Sequence, residues 1–351
     1  MTNYPKISII ILNWNGWQDT IECLESLYRI TYPNYEVIVV DNGSKDESIQ
    51  KIKRWADGKI VVNSNFFKYN PNNKPLRYFE YTKKELENGS YLEEKKKLDN
   101  LLSNKKLFIL KNDKNYGFAE GNNVAIRQIL KENKSKYVLL LNNDTVVDPN
   151  FLTELARVAE GDKEIGIVGP KIYYYNNSKK IWFAGGKISK LGKINFPNSN
   201  TIDNRKITIT KKIDFLTGCA LLIKREVLTK IGLLDPSYFL YTEDVDFCYK
   251  TKKANYKIVF IPKSFIWHKI NKSSQNNSFG YLYYTTRNYL IFRKRNNLGI
   301  LWGLIFILLR MIKRVFISFL SLDIKQINII IKATFRGIKD LFTKKTGKVN
   351  F

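Results

Sequence analysis

"KISIIIL", residues 6–12, is an almost unbroken run of β-branched and aliphatic side chains. Without the alternation of a half-exposed strand, such a run marks a strand buried on both faces. "TIECLESLYRI" (20–30) follows, with Ile21, Leu24 and Leu27 at helical spacing. A second buried strand, "YEVIVVDNGS" (35–44), ends in a polar turn, and "DESIQKIKRWA" (46–56) reads as a second helix. The rhythm resumes with "KLFILKN" (106–112), "GNNVAIRQIL" (121–130) and "KYVLLLNND" (136–144). Strands alternating with helices of this length predict an α/β fold with a parallel sheet and right-handed crossovers. Ligands of such sheets sit beyond the carboxyl ends of the strands. Asn13–Asn15, Asp41–Ser44 and Asn142–Asp144 are therefore the first places to look.

Residues 66–105 interrupt the rhythm with a polar, Lys/Glu-rich stretch, read as an insertion holding a charged helix near 83–102, with a solvated excursion and a functional element both open. After residue 150 the pattern loosens. "FLTELARVAE" (151–160) reads as a helix, "IGIVGPKIYYY" (165–175) and "IWFAGGKIS" (181–189) as strands, and "FLTGCALLIKREVL" (215–228) as a strand running into a helix. Three parts are expected: an α/β half over 1–150, an α+β half over 151–285 that covers the open sheet edge, and a basic helical tail over 286–351.

The chain has 351 residues, 44% apolar and 14% aromatic, which suits more than one packing unit and excludes a disordered chain. Its net charge is +27. Such an excess implies an anionic partner: nucleic acid, phosphates or an anionic membrane. The last 66 residues hold fourteen Lys/Arg against two Asp/Glu. Cys23, Cys219 and Cys248 form no CxxC or zinc pattern, and their odd number suits a reducing compartment. The opening residues turn polar too early for a secretory leader.

"LGILWGLIFILL" (298–309) is twelve uncharged residues, short of the roughly 20 that a spanning helix needs. Arg310, Lys313 and Arg314 follow at once, and Lys325, Lys332, Arg336 and Lys339 share one face of a second helix that Ser321 or Asp323 would cap. An apolar helix followed by a cationic amphipathic one fits a segment lying on an anionic membrane. The competing reading packs both helices on the core.

Four polar clusters stand at predicted strand ends. Asp41 would accept the imide N–H of a uracil or thymine, with Trp14 stacking on the base; an ordinary turn aspartate is the simpler alternative. Asp144, at the tip of "LLLNNDT", would hold Mg²⁺ or Mn²⁺ beside a diphosphate, since hard cations take oxygen ligands. "YFLYTEDVDFCYK" (238–250) crowds Glu243, Asp244 and Asp246 into four residues. Like charges this dense are costly unless a cation or a reaction uses them, so a catalytic base is weighed against a solvated helix start. His268, in "FIWHKINKSS", is the only histidine.

Taken together, "SIIILNWNG", "VDNGSKDES", "NYGFAEGNN", "LLLNNDT", "FLTGCALLIKRE", "YTEDVDFC" and "WHKINKSS" followed by "YYTTRNYLIFRKRN" resemble glycosyltransferase family 2, inverting enzymes with the GT-A fold, and its rhamnosyltransferase-like branch. The motifs come in family order over roughly residues 5–295. Where the family's general metal motif is Asp-x-Asp, this chain has Asn142-Asn143-Asp144, a single carboxylate. The resemblance implies a second metal ligand from a His-x₄-Ser element, here His268 to Ser273. It further implies transfer of a sugar, possibly rhamnose, from a nucleoside-diphosphate donor to a glycan or lipid-linked acceptor in polysaccharide or cell-wall assembly. Asp244 would be the base and Glu243 would bind the acceptor. Asn115 and Asn143 would meet the donor, and Arg287 would approach the diphosphate or serve as a packed structural arginine. The implied location is the cytoplasmic face of a membrane.

Two other functions compete. A nucleotidyltransferase would carry a Gly-rich basic loop after the first strand, which "LNWNGWQDT" lacks. A nucleic-acid-binding protein would interleave its basic residues with aromatics on a folded face, whereas the charge here lies beside a long apolar run.

Overall fold

The computed structural model describes residues 4–204, 207–270, 278–343 and 345–349. In chain order the elements are β1 (Ile7–Asn13), α1 (Trp17–Leu27), β2 (Tyr35–Asp41), α2 (Ser48–Ala56), β3 (Arg77–Thr82), α3 (Lys83–Asn88), α4 (Leu92–Asp99), β4 (Lys106–Lys111), α5 (Gly117–Glu132), β5 (Tyr137–Asn142), β6 (Thr145–Val147) and α6 (Phe151–Gly161). There follow β7 (Ile165–Tyr174), β8 (Asn177–Phe183), β9 (Lys187–Ile188), β10 (Ile194–Asn195), β11 (Lys211–Lys212), β12 (Ala220–Lys224), α7 (Arg225–Ile231), α8 (Glu243–Lys253), β13 (Lys257–His268), α9 (Phe279–Arg295), α10 (Ile300–Leu320) and α11 (Ile324–Phe342).

One sheet runs in the order β11-β13-β7-β12-β5-β1-β2-β4-β3, with β6 paired to β13 and β8 to β7. β1 lies at its centre, parallel to both β2 and β5. That explains the unbroken apolar run: Ile7, Ile9, Ile10 and Ile11 are wholly buried. The register sets Asn13 beside Asp41 and Leu12 beside Asn142. The polar tails of the three strands thus meet at one sheet edge. β12 joins antiparallel to β5, so the sheet continues without a break past residue 150.

The insertion reading needs correction. Residues 77–82 form an edge strand parallel to β4, where an insertion with a helix and no strand was expected. Phe79 and Tyr81 share one face of "RYFEYT", and Tyr81 is buried, stacked on Tyr91 at 5.2 Å and donating its hydroxyl to Gln128 at 2.7 Å. The charged helix is two helices. Thr82 and Glu85 form a capping box at the start of α3, and Gly89 ends it with φ +82°. Lys95 of α4 is buried against Glu132 and the Phe108 ring, which pins the insertion to the sheet.

The tail forms a helical layer. α11 packs on α9 and α10: a Cβ at Gly337 would stand 3.0 Å from Thr286, and the Tyr283 hydroxyl donates to Asp340 at 2.7 Å. Asp323, of the two proposed caps, accepts from the Gln326 N–H at 2.9 Å. Among the described residues no helix is long and apolar enough to cross a membrane.

Candidate active site

An asparagine network shapes the crevice at the tips of β1, β2 and β4. Buried Asn13 donates to Asp41 Oδ1 (2.9 Å) and Ser44 Oγ (3.2 Å), and accepts from Thr20 (2.8 Å). Asp41 is buried, and its second oxygen takes the Ser44 N–H at 3.1 Å. The turn-aspartate contact is thus present, and lone pairs remain on both oxygens. Trp14 stands at the rim, 52% exposed. Asn42 Nδ2 donates to Asn115 Oδ1 (3.1 Å) and to Gly117 O (3.1 Å). Asn115 Oδ1 also accepts from the Gly117 N–H (2.8 Å), which turns the chain into α5. Gly117 has φ +77°, and a Cβ there would lie 2.4 Å from Phe239 O, so only glycine fits this crossing. Asn143 Nδ2 donates to Thr20 Oγ1 (3.0 Å) and Gly16 O (3.3 Å), tying the β5 tip to the start of α1.

Asp144 and His268, 124 positions apart in sequence, meet: His268 Nε2 lies 3.0 Å from Asp144 Oδ1. β13 achieves this by pairing with β6, His268 opposite Thr145. The Lys269 N–H donates to Asp144 O (2.9 Å), and its ammonium pairs with Asp19 and Glu22, both at 2.6 Å. Trp182 sets its ring edge-on to the imidazole at 4.5 Å. Burial alone would depress the imidazole pKa, but the neighbouring Cys219 and Asp144 outweigh it and hold it well above the usual histidine value. Once an arriving cation displaces the imidazole proton, one carboxylate oxygen and one imidazole nitrogen within reach of each other are a donor set that suits Mn²⁺ or Mg²⁺, provided substrate oxygens and water complete it. No group of three or more His, Cys, Asp or Glu side chains that could hold a metal exists among the described residues. Ser273, the far end of the His-x₄-Ser element, lies outside the described residues.

Asp244 lies in the first turn of α8. Its Oδ2 accepts the Gly218 N–H and its Oδ1 the Val245 N–H, both at 2.8 Å. Burial raises its pKa, and these amide donors offset part of the rise. Glu243 is buried, and its Oε2 has no hydrogen-bond partner among the described residues. Burial first, then the Asp244 charge, keeps its carboxyl well above the usual range. Asp246 turns the other way. It accepts from Asn296 Nδ2 (3.0 Å) and pairs with Lys250 (2.6 Å), pinning α8 to the end of α9.

The turn Thr217-Gly218-Cys219 joins the two centres. Gly218 donates to Asp244, Cys219 O accepts the Asn142 N–H at 2.9 Å, and the buried Cys219 thiol lies within electrostatic reach of Asp144, Asp244 and His268. Sequence reasoning missed this turn because "FLTGCALL" was read as one strand, whereas β12 begins only at Ala220.

A second missed element is the support beneath α8. Phe239, Tyr241 and Thr242 have φ of 63°, 69° and 78°, a costly conformation for non-glycine residues. Asn288 Nδ2 holds the loop by donating to Tyr238 O (2.9 Å), Leu240 O (2.8 Å) and Tyr241 O (2.8 Å). Arg287 is fully buried, with its guanidinium on Ser237 O, Tyr238 O and Gly347 O, so it takes the structural role and does not reach toward a diphosphate. Asn288→Leu removes the donor to Leu240 O and Tyr241 O, while Tyr238 O keeps Arg287, so a loss of about 1–3 kcal/mol is expected in denaturant unfolding. An unchanged midpoint would show that the loop holds itself.

The continuous sheet, mostly parallel and flanked by helices, with its polar strand tips gathered at one edge, is the GT-A fold. The chain belongs to glycosyltransferase family 2: the model described as "Glycosyltransferase like family 2" matches residues 100–289, and that described as "Glycosyl transferase family 2" matches residues 8–74. It is similar to rhamnosyltransferase WbbL of Escherichia coli (strain K12), 23% identical over 46% of this chain and 63% of the relative. It is also similar to the N-acetylglucosaminyl-diphospho-decaprenol L-rhamnosyltransferase of Mycobacterium tuberculosis, 26% identical over 38% of this chain and 46% of the relative. The matched stretch covers less than two thirds of either relative. Among solved structures, the mannosyltransferase PcManGT from Pyrobaculum calidifontis, in complex with GDP-Man and Mn²⁺, aligns with a TM-score of 0.55 at 12% identity, covering 98% of this chain and 89% of that one.

Proposed function

We propose that this chain transfers a sugar, rhamnose being favoured, from a nucleoside diphosphate to a hydroxyl of a glycan or lipid-linked acceptor, with inversion. The observation that carries the reading is the turn at 217–219, with Asp244 on one side and the Asp144–His268 pair on the other. A base and an anion-side centre in one crevice suit attack by a hydroxyl on a carbon that loses a phosphate.

In this mechanism the donor base lies against Trp14 and Asp41, and Asn115 and Asn143 shape the path of its ribose and phosphates. A divalent cation held by Asp144 and His268 would supply charge to offset that on the departing diphosphate. Asp244 takes the proton of the acceptor hydroxyl. Its Gly218 and Val245 amides hold the carboxylate in place. Glu243, whose carboxyl is biased toward its neutral form by burial and by the Asp244 charge, hydrogen-bonds the acceptor. The acceptor is met at the cytoplasmic face of a membrane, where the chain sits peripherally.

A panel of UDP-, dTDP- and GDP-sugars with Mn²⁺, read by donor hydrolysis and by melting temperature, tests the reading. One donor should be cleaved and should raise the melting temperature, as a ligand of the native state must. DNA should not. Stabilisation by DNA alone would favour a nucleic-acid-binding role, and pyrophosphate formation from sugar phosphates a nucleotidyltransferase.

Two further outcomes follow. Glu243→Gln keeps a donor in place and should raise the acceptor KM with little change in kcat. Because Asp244 must be ionised to act and its pKa is raised, kcat should climb with pH through a value above the ordinary aspartate range. A pH profile already flat at the ordinary aspartate pKa would remove Asp244 from the role.

A further inference from the structure

We propose that α10 is a membrane wedge, with its axis in the plane of an anionic bilayer and its outward face among the lipids. The proposal rests on the transferase reading for its purpose, bringing the crevice to a lipid-linked acceptor; the contact itself is argued from the helix.

Leu301, Ile305, Leu308, Ile312, Phe316 and Phe319 recur every three or four residues and fall on one face of α10. All six are exposed, by 37% to 67%. The opposite side, with Gly303, Ile307 and Ser318, is buried. A surface helix of a soluble protein turns its apolar stripe inward; here the stripe faces out. The turn after it extends the patch, with Leu322 exposed by 84% and Ile324 by 72%. An apolar surface of this extent marks a membrane or protein interface.

Charge chooses between them. Lys313 is exposed on α10, and α11 exposes Lys325, Lys332 and Lys339. Both acidic residues of the tail are engaged locally: Asp323 caps α11, and Asp340 is buried against Tyr283. Apolar side chains flanked by lysines fit an anionic leaflet. α10 does not cross it, since Arg310, Lys313 and Arg314 fall mid-helix and no described helix is long and apolar enough. The roles differ from those read in the sequence. α11 buries Ile330, Ala333 and Leu341 within the protein and leaves Phe335 and Phe342 exposed beside its lysines. It therefore contributes charge and two aromatic anchors, while the longer stripe of α10 inserts.

The test is co-sedimentation of the full chain with phosphatidylcholine vesicles, with and without phosphatidylglycerol. The wild type should bind the anionic vesicles. Ile312→Glu with Phe316→Glu, both on the exposed face, should weaken binding by roughly tenfold or more. Lys332→Glu with Lys339→Glu should erase the preference for phosphatidylglycerol. Donor hydrolysis in solution should persist in both variants. If no donor is cleaved by any form while the vesicle results hold, the transferase reading fails and the wedge stands. Equal binding by wild type and Ile312/Phe316 variant overturns the wedge, as does failure of the wild type to bind. A detergent-free dimer that the Ile312/Phe316 variant dissociates, without vesicle binding, would make the face an interface between copies of this chain.

Discussion

Asp244→Asn is expected to lower the transfer rate by roughly 10²–10⁴-fold, the usual contribution of a positioned general base. The asparagine keeps the shape of the side chain, but its one carbonyl can accept only one of the Gly218 and Val245 N–H groups that Asp244 takes, both at 2.8 Å. It has no proton affinity to offer the acceptor. Donor affinity should barely move, because the base meets the acceptor. The readout is kcat at saturating acceptor beside calorimetric donor binding. Near-normal turnover would dismiss Asp244. Asp246 is a poor substitute, since Asn296 and Lys250 engage both its oxygens. Loss of donor binding in the same variant would move Asp244 to the diphosphate side and force the roles to be reassigned.

The second large effect is expected at the Asp144–His268 pair. His268→Ala leaves one carboxylate to hold a divalent ion, and Asp144→Asn leaves one imidazole. Either should weaken Mn²⁺-dependent nucleotide binding and lower the rate by about 10²-fold or more, given that metal charge stabilisation is worth several kcal/mol and each 1.36 kcal/mol is tenfold. Mn²⁺ titration with and without nucleotide reads this without turnover. The fold should survive, because the strand that carries His268 is also paired to β7 along its length. Unchanged metal and nucleotide affinity in both variants would make the 3.0 Å contact a structural ion pair.

The first 150 residues were legible because their signals are local. Buried parallel strands need runs such as "KISIIIL", and their polar tails fall where the register brings them together. Asp144 and His268 were each visible, but their 3.0 Å meeting depends on the pairing of β6 with β13 across 124 positions. No periodicity encodes that; the family resemblance suggested it. The edge strand at 77–82 was hidden by its charged neighbours, most of them exposed, among which Lys95 alone in α3 and α4 is buried, against Glu132 and Glu36. The turn at 217–219 and the grip of Asn288 were illegible for another reason. Both act through backbone groups, and any sequence has those. Asp246 looked like a site residue because a cluster of acids does not reveal which of them point inward.

The antiparallel seam between β5 and β12 limits how such an enzyme can be re-engineered. Val138 to Leu141 are buried on both faces and bonded on both edges. Cutting the chain at residue 150 would bare the apolar edge of β5, and an unpaired apolar strand edge templates aggregation. Expressed alone, residues 1–150 should precipitate. Chimeras that exchange whole halves between relatives should meet the same fate unless the strand partners match residue for residue. New acceptor preferences are better sought by exchanging the β9–β10 hairpin, Lys187–Asn195, which pairs apart from the main sheet and leaves the seam and the turn at 217–219 intact.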